Sequence, residues 1–148
     1  MPRDTAEVVL KASAKFGAFN GLMSKEEFDK MTRPYYELMS GDIRRQKKRL
    51  GGTFAVAHAV ATRNGRSLLR NHLGSDLVFI VLNMTKECQH ERIKKRHLGK
   101  VGKSLENMHK LYEPGEEDEE NTFNVSIEEG MTREDVMQKV LAIIKDIQ

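Results

Sequence analysis

With one cysteine, Cys88, the chain can form no internal disulfide, so no disulfide framework organises its fold. That scarcity fits a reducing compartment, and the expected location is the cytoplasm. No stretch approaches the ~20 consecutive apolar residues that a bilayer crossing needs, so no membrane association is expected. Residues 1–15 lack the apolar core of a signal peptide, and Asp4 and Glu7 argue against a transit peptide. Aromatic residues make up 6% of the chain and do not alternate with its basic blocks. A single-strand nucleic-acid binder needs that alternation, and no other nucleic-acid motif is present.

What the sequence does hold is charge, and the charge is segregated. The net value of +3 hides a basic block at Arg44-Arg45-Gln46-Lys47-Lys48-Arg49, a second at 92–96, and six carboxylates within residues 113–120. Basic blocks suit nucleic acid or small phosphorylated ligands equally well. The 148 residues suit one domain with a modest core, with a helical region at 1–52 ahead of an α/β region at 53–148.

Taken in order, residues 4–15 carry apolar positions at helical spacing, and Gly17 and Gly21 interrupt them. Ser24-Lys25-Glu26-Glu27 is a capping box. Phe28, Met31, Tyr35, Leu38 and Met39 then make an apolar stripe, which Pro34 is expected to kink or restart. The helix continues through the basic block to Gly51-Gly52. Later, Thr85 caps a very basic helix, residues 104–114 make a short helix, and 113–120 form an exposed acidic turn. Residues 122–127 alternate like a half-covered strand. Thr132-Arg133-Glu134-Asp135 caps a last helix with Val136, Val140, Ile143, Ile144 and Ile147 on one face, directed at the sheet.

Residues 53–83 are the centre of this pattern. Two largely apolar runs, 53–61 and 77–82, flank a basic helical segment that Gly74 ends. An apolar run without alternation suits a strand covered on both faces, so the arrangement reads as a βαβ unit. Strands alternating with helices give an α/β fold with a parallel sheet and helices on both faces. Ligands in such sheets bind beyond the carboxyl ends of the strands. The first strand ends there in His58, Thr62 and Arg63, followed by Arg66 and Arg70.

From residue 53 to 147 the chain resembles the small P-loop kinases, gluconate kinases most closely, with shikimate and nucleoside-monophosphate kinases behind them. Residues 57–70 resemble the segment in which the third strand of gluconate kinases enters a basic, substrate-holding helix. Arg66 and Arg70 match arginines there, and Thr62 stands where that motif usually has lysine. Glu91-Arg92-Ile93-Lys94-Lys95-Arg96 resembles the start of the lid, placed at about 88–112. Residues 105–114 are similar to the helix returning from it, and Pro34-Tyr35 is similar to a Pro-Trp pair. The resemblance implies ATP-dependent phosphorylation of a small anionic metabolite, gluconate-like or nucleotide-like, with ATP and Mg²⁺ as cofactors. Arg92 and Arg96 would act on the transferred phosphate; His58, Thr62, Arg63, Arg66 and Arg70 would hold substrate.

One departure is large. These kinases open with a strand and a G-x-x-x-x-G-K-[ST] loop, and these residues contain neither. Gly102-Lys103-Ser104 reads GKS, but His97 stands where the first glycine belongs. Phosphoryl transfer rests on positioning and charge stabilisation by that loop, so catalysis is expected to fail in this chain, read as a truncated or degenerate relative. The missing strand would lie between 53–61 and 77–82. Those two strands must then pair directly, borrow a strand from another chain, or expose unpaired edges, which admits a homo-oligomer. The competing reading is a non-catalytic interaction protein that uses its basic surface for an anionic partner. Residue by residue, Arg66/Arg70 and Arg92/Arg96 are either anion holders or solvated arginines. His58 is a substrate contact or a core histidine. Cys88, His90, His97 and His109 match no four-ligand zinc spacing, and 113–120 lack the alternating oxygens of a calcium loop.

Overall fold

A computed structural model of the chain describes residues 24–96 and 110–147. They fall in two compact units: 24–77 with Leu111–Glu113, and 78–96 with 110 and 114–147. The fold is mixed α/β, with four helices and one two-stranded parallel sheet among the described residues. The segments at 1–23 and 97–109 lie outside them, and so do the expected helix at 4–15, most of the lid, residues 105–109 of its returning helix, and the GKS triplet; residues 110–114 are described and carry no helix.

In the first unit, helix α1 spans Lys25–Leu50. Ser24 caps it, accepting from the Glu27 amide at 3.2 Å. Acidic residues occupy its first turn and Lys47, Lys48 and Arg49 its last, as the helix dipole favours. Gly51 ends it at φ 65°, donating its N–H to the Lys47 carbonyl at 2.9 Å. Pro34 does not start a second helix, and α1 is continuous through it. A proline removes one backbone bond, and packing on either side, at Phe28, Thr32, Tyr36 and Met39, holds the remaining turns. The buried face is also rotated from the expected stripe. Thr32 and Ser40 are buried, while Met31, Tyr35 and Leu38 are only half-buried. Both hydroxyls donate back to carbonyls four residues earlier, Thr32 to Phe28 at 2.9 Å and Ser40 to Tyr36 at 2.8 Å. Each polar group is thereby satisfied inside the helix and free to sit against its neighbour.

That neighbour is helix α2, Arg63–Leu73, capped by Thr62 and closed by Gly74 at φ 87°. Gly65 lies directly under α1: a Cβ there would come within 2.9 Å of the Tyr36 ring and 3.3 Å of Val60. Leu69 is buried one turn further along.

The expected strand at 53–61 is not formed. The segment carries no helix, turn, bend or ladder, and residues 55–59 are exposed. A strand exists only as one side of a ladder. Among the described residues none lies beside 53–61, and two of its carbonyls are used otherwise. Ala59 accepts from the Tyr36 hydroxyl at 3.3 Å, and Ala61 accepts from the Glu113 amide at 2.8 Å. The βαβ reading of 53–83 therefore fails at its first strand.

In the second unit, strand β1 is Phe79–Met84, two residues later than expected, and β2 is Thr122–Ile127, as expected. They pair in parallel, from Phe79 opposite Thr122 to Met84 opposite Ile127. Val81, Val125 and Ile127 are buried. Helix α3, Lys86–Lys95, lies on the crossover between them, and Thr85 caps it through the Cys88 amide at 3.1 Å. Helix α4, Arg133–Ile147, opens on a reciprocal cap. The Thr132 amide donates to Asp135 Oδ2 at 2.8 Å, and the Asp135 amide donates to Thr132 Oγ1 at 3.1 Å. Its expected apolar face packs only in part: Val136, Val140, Ile143 and Ile144 are half-buried, and Ile147 is exposed.

The acidic turn is not wholly solvated. Glu119 is buried, accepting from the Glu116 amide at 3.3 Å and standing 3.5 Å from the Thr122 hydroxyl. Gly115 is held by Asn124, whose Oδ1 accepts from the glycine amide at 2.9 Å while its Nδ2 donates to the glycine carbonyl at 2.7 Å.

Candidate functional site

The N-terminus of α2 gathers several of the residues singled out from sequence. Thr62 is fully buried, and its hydroxyl works in both directions: it donates to Asp29 Oδ1 at 2.6 Å and accepts from the Gly65 amide at 3.1 Å. Asn64 Nδ2 donates to the other Asp29 oxygen at 2.9 Å. Asp29 thus ties α1 to the first turn of α2 with both oxygens.

Arg66 is 1% exposed, and its Nη1 donates to the Glu113 carbonyl at 2.9 Å. Helix spacing turns it inward, towards the segment Leu111–Glu113. Its positive charge lies near two phenols. Tyr36 is pushed up to about 12 by burial and then by the Asp29 carboxylate, with Arg66 pulling the other way. Burial also raises Tyr112 above the ordinary phenol value, and Arg66 again opposes it. A buried guanidinium bonded to the protein's own backbone is a structural tie.

The remaining candidates are dispersed. Arg63 and Arg70 are half-buried and engaged within the fold. His58, expected towards the end of a buried strand, is exposed. Its ring lies 5.0 Å from that of Tyr35, tilted by 45°, with Nδ1 3.2 Å from the Ala59 carbonyl. Arg92, half-buried, and Arg96, exposed, stand at the end of α3 in the second unit.

Asp29, Tyr36 and Glu113 also belong to the Thr62–Arg66 cluster, and no motif marks them for it. The signal for two of them lies in the spacing: Asp29 and Tyr36 are seven apart, two turns along one side of α1. Glu113 carries no local signal, because its carbonyl and amide make the contacts.

Among the described residues, none fits the cofactors the resemblance implies. No glycine-rich phosphate loop occurs in the sequence, and the α2 amide that Thr62 engages is already satisfied by its hydroxyl. Among the described residues, no group of three His, Cys, Asp or Glu could hold a metal ion. A concavity of roughly 320 Å³ in the second unit is lined by Val78, Asn121, Phe123, Ile143, Asp146 and Ile147, none of them a candidate.

The basic end of α1 is different in kind. Arg44, Arg45, Lys47, Lys48 and Arg49 are all exposed. Two of them have partners within α1 and two have partners outside it. Arg44 donates to the His72 carbonyl at 2.9 Å, Arg45 pairs with Asp42, Arg49 with Gln46, and Lys47 stands 3.8 Å from Asp76. Exposed pairs of this sort contribute about 0–1 kcal/mol, so a stronger anion can displace them.

No family model, curated protein or solved structure matches the chain. No helix among the described residues is long and apolar enough to cross a membrane.

Proposed function

We propose that this chain is a non-catalytic binding protein whose basic α1 end holds an anionic partner of the nucleotide or phosphorylated-metabolite class. The observation that carries this reading is the contrast between two sets of cations. Arg66, one of the candidates for holding substrate, is buried and bonded to the Glu113 carbonyl. The five cations of residues 44–49 are presented together on an exposed helix end.

A second reading, ancestral P-loop small-molecule kinase activity, draws support from the parallel pairing of β1 with β2 across a crossover that carries α3. The two separate in one set of measurements. Titration with ATP at about 50 and 200 mM salt is expected to show binding that weakens with salt. A Lys47→Glu/Lys48→Glu/Arg49→Glu variant should lose it. Unchanged binding by that variant, or none by the wild-type chain, would overturn the proposal. Turnover of gluconate, shikimate or a nucleoside monophosphate with ATP would establish the second reading instead.

A further inference from the structure

Residues 55–61 read Ala-Val-Ala-His-Ala-Val-Ala, the same in both directions about His58. We propose that this segment is a strand whose partner is the same segment of a second copy, paired antiparallel about a two-fold axis at His58. A two-fold contact must be self-complementary, residue i meeting j and j meeting i. In this register Val56 faces Val60 of the second copy, Val60 faces its Val56, alanine faces alanine, and His58 faces His58.

Backbone parity supports the same arrangement. In an extended chain the N–H and C=O of alternate residues point to opposite edges. The carbonyls already engaged within the protein are the odd ones, Ala59 and Ala61. One edge is therefore held against α1 and Glu113. The other, carrying the backbone groups of Val56, His58 and Val60, has no ladder partner among the described residues. Pairing through it makes Val56–Val60, His58–His58 and Val60–Val56 hydrogen-bonded pairs, each exchanging two bonds. Because the opposite edge is occupied at Ala59 and Ala61, a third copy cannot continue the ladder there, and association stops at two copies.

Exposure and charge agree. Val56 is 50% exposed although apolar. Residues 51–62 carry no Asp, Glu, Lys or Arg, and Arg63 would lie across from Thr53, so no like charges meet. A seven-residue ladder is a small interface, so the dimer belongs to the weak class.

The test is sedimentation equilibrium of the full chain over concentrations up to about 0.5 mM. A monomer–dimer equilibrium is expected. His58→Asp and His58→Lys, each placing like charges directly across the axis, should each weaken it about two- to fivefold, and an equimolar mixture of the two should restore it as a heterodimer. Val56→Pro, which removes a ladder donor at an exposed position, should abolish it while leaving the far-ultraviolet circular dichroism unchanged. A chain that stays monomeric throughout overturns the proposal. So does a dimer indifferent to Val56→Pro, open-ended association, or a charge-swapped mixture no tighter than either variant alone.

Discussion

Tyr36 shows how one side chain in this protein serves several contacts. Its ring fills the space above Gly65, its hydroxyl donates to the Ala59 carbonyl, and its own carbonyl receives Ser40. Burial and the nearby Asp29 charge both oppose its ionisation, which moves its pKa up to about 12. The sign of the consequence follows directly. The folded state holds the phenol proton more tightly than the unfolded chain, whose phenol titrates near 10. The resulting stability is fully present below about pH 10 and is lost as pH rises through about 12, a difference on the order of 2 kcal/mol. Tyrosinate absorbance should show the last phenol to ionise, after Tyr112, doing so together with unfolding. A Tyr36→Phe chain should lack that late step; if the step persists there, its assignment to Tyr36 is wrong.

At the scale of elements, the helices were legible because their ends are written locally. Ser24, Thr62, Thr85 and Thr132 each cap through a hydroxyl that reaches an amide three residues on. Gly51 and Gly74 stop helices with positive φ. The strand expected at 53–61 does not form because a ladder depends on a partner elsewhere in the chain, which apolar composition cannot supply. Arg66 departs from expectation for a related reason. Its four-residue spacing from Arg70 suggested a shared exposed face, yet its partner is a backbone carbonyl 47 positions away. Thr62, noted in sequence as the departure from a family lysine, acts as the joint between two helices. Thr62→Ala removes the cap and also leaves Asp29 Oδ1 without its donor. Cap loss costs about 1 kcal/mol, and the stranded carboxylate oxygen adds about 1–2 more. Urea denaturation should therefore show a loss of about 2–3 kcal/mol, with Thr62→Ser recovering most of it. A loss below about 0.5 kcal/mol would mean that the Asp29–Thr62–Gly65 link does not hold α1 to α2.

For the whole molecule, the balance of buried and exposed apolar groups matters most. Among the described residues the buried hydrophobics are few in each unit, for example Phe28, Met39 and Leu69 in the first and Val81, Val125 and Ile127 in the second. Leu50, Val56, Leu82, Phe123, Met137, Leu141 and Ile147 remain exposed. Small cores leave little stability in reserve, and the conformational entropy of ordering is unchanged by leaving apolar groups in water. Anything that binds only the folded chain then shifts unfolding visibly. A second copy docked along residues 55–61 is such a ligand, so its effect grows with the logarithm of protein concentration. Raising the chain from well below to about a hundredfold above its dimer dissociation constant would stabilise the fold by about 2.7 kcal/mol if free partner were in constant excess, and by somewhat less in a self-associating system. The expected outcome is a thermal midpoint several degrees higher at high concentration than at low, a displacement that Val56→Pro removes. A midpoint independent of concentration in the wild-type chain would mean that the exposed edge contributes nothing to folding. A displacement that survives in Val56→Pro would place the stabilising contact on another apolar surface, such as the exposed side of α4.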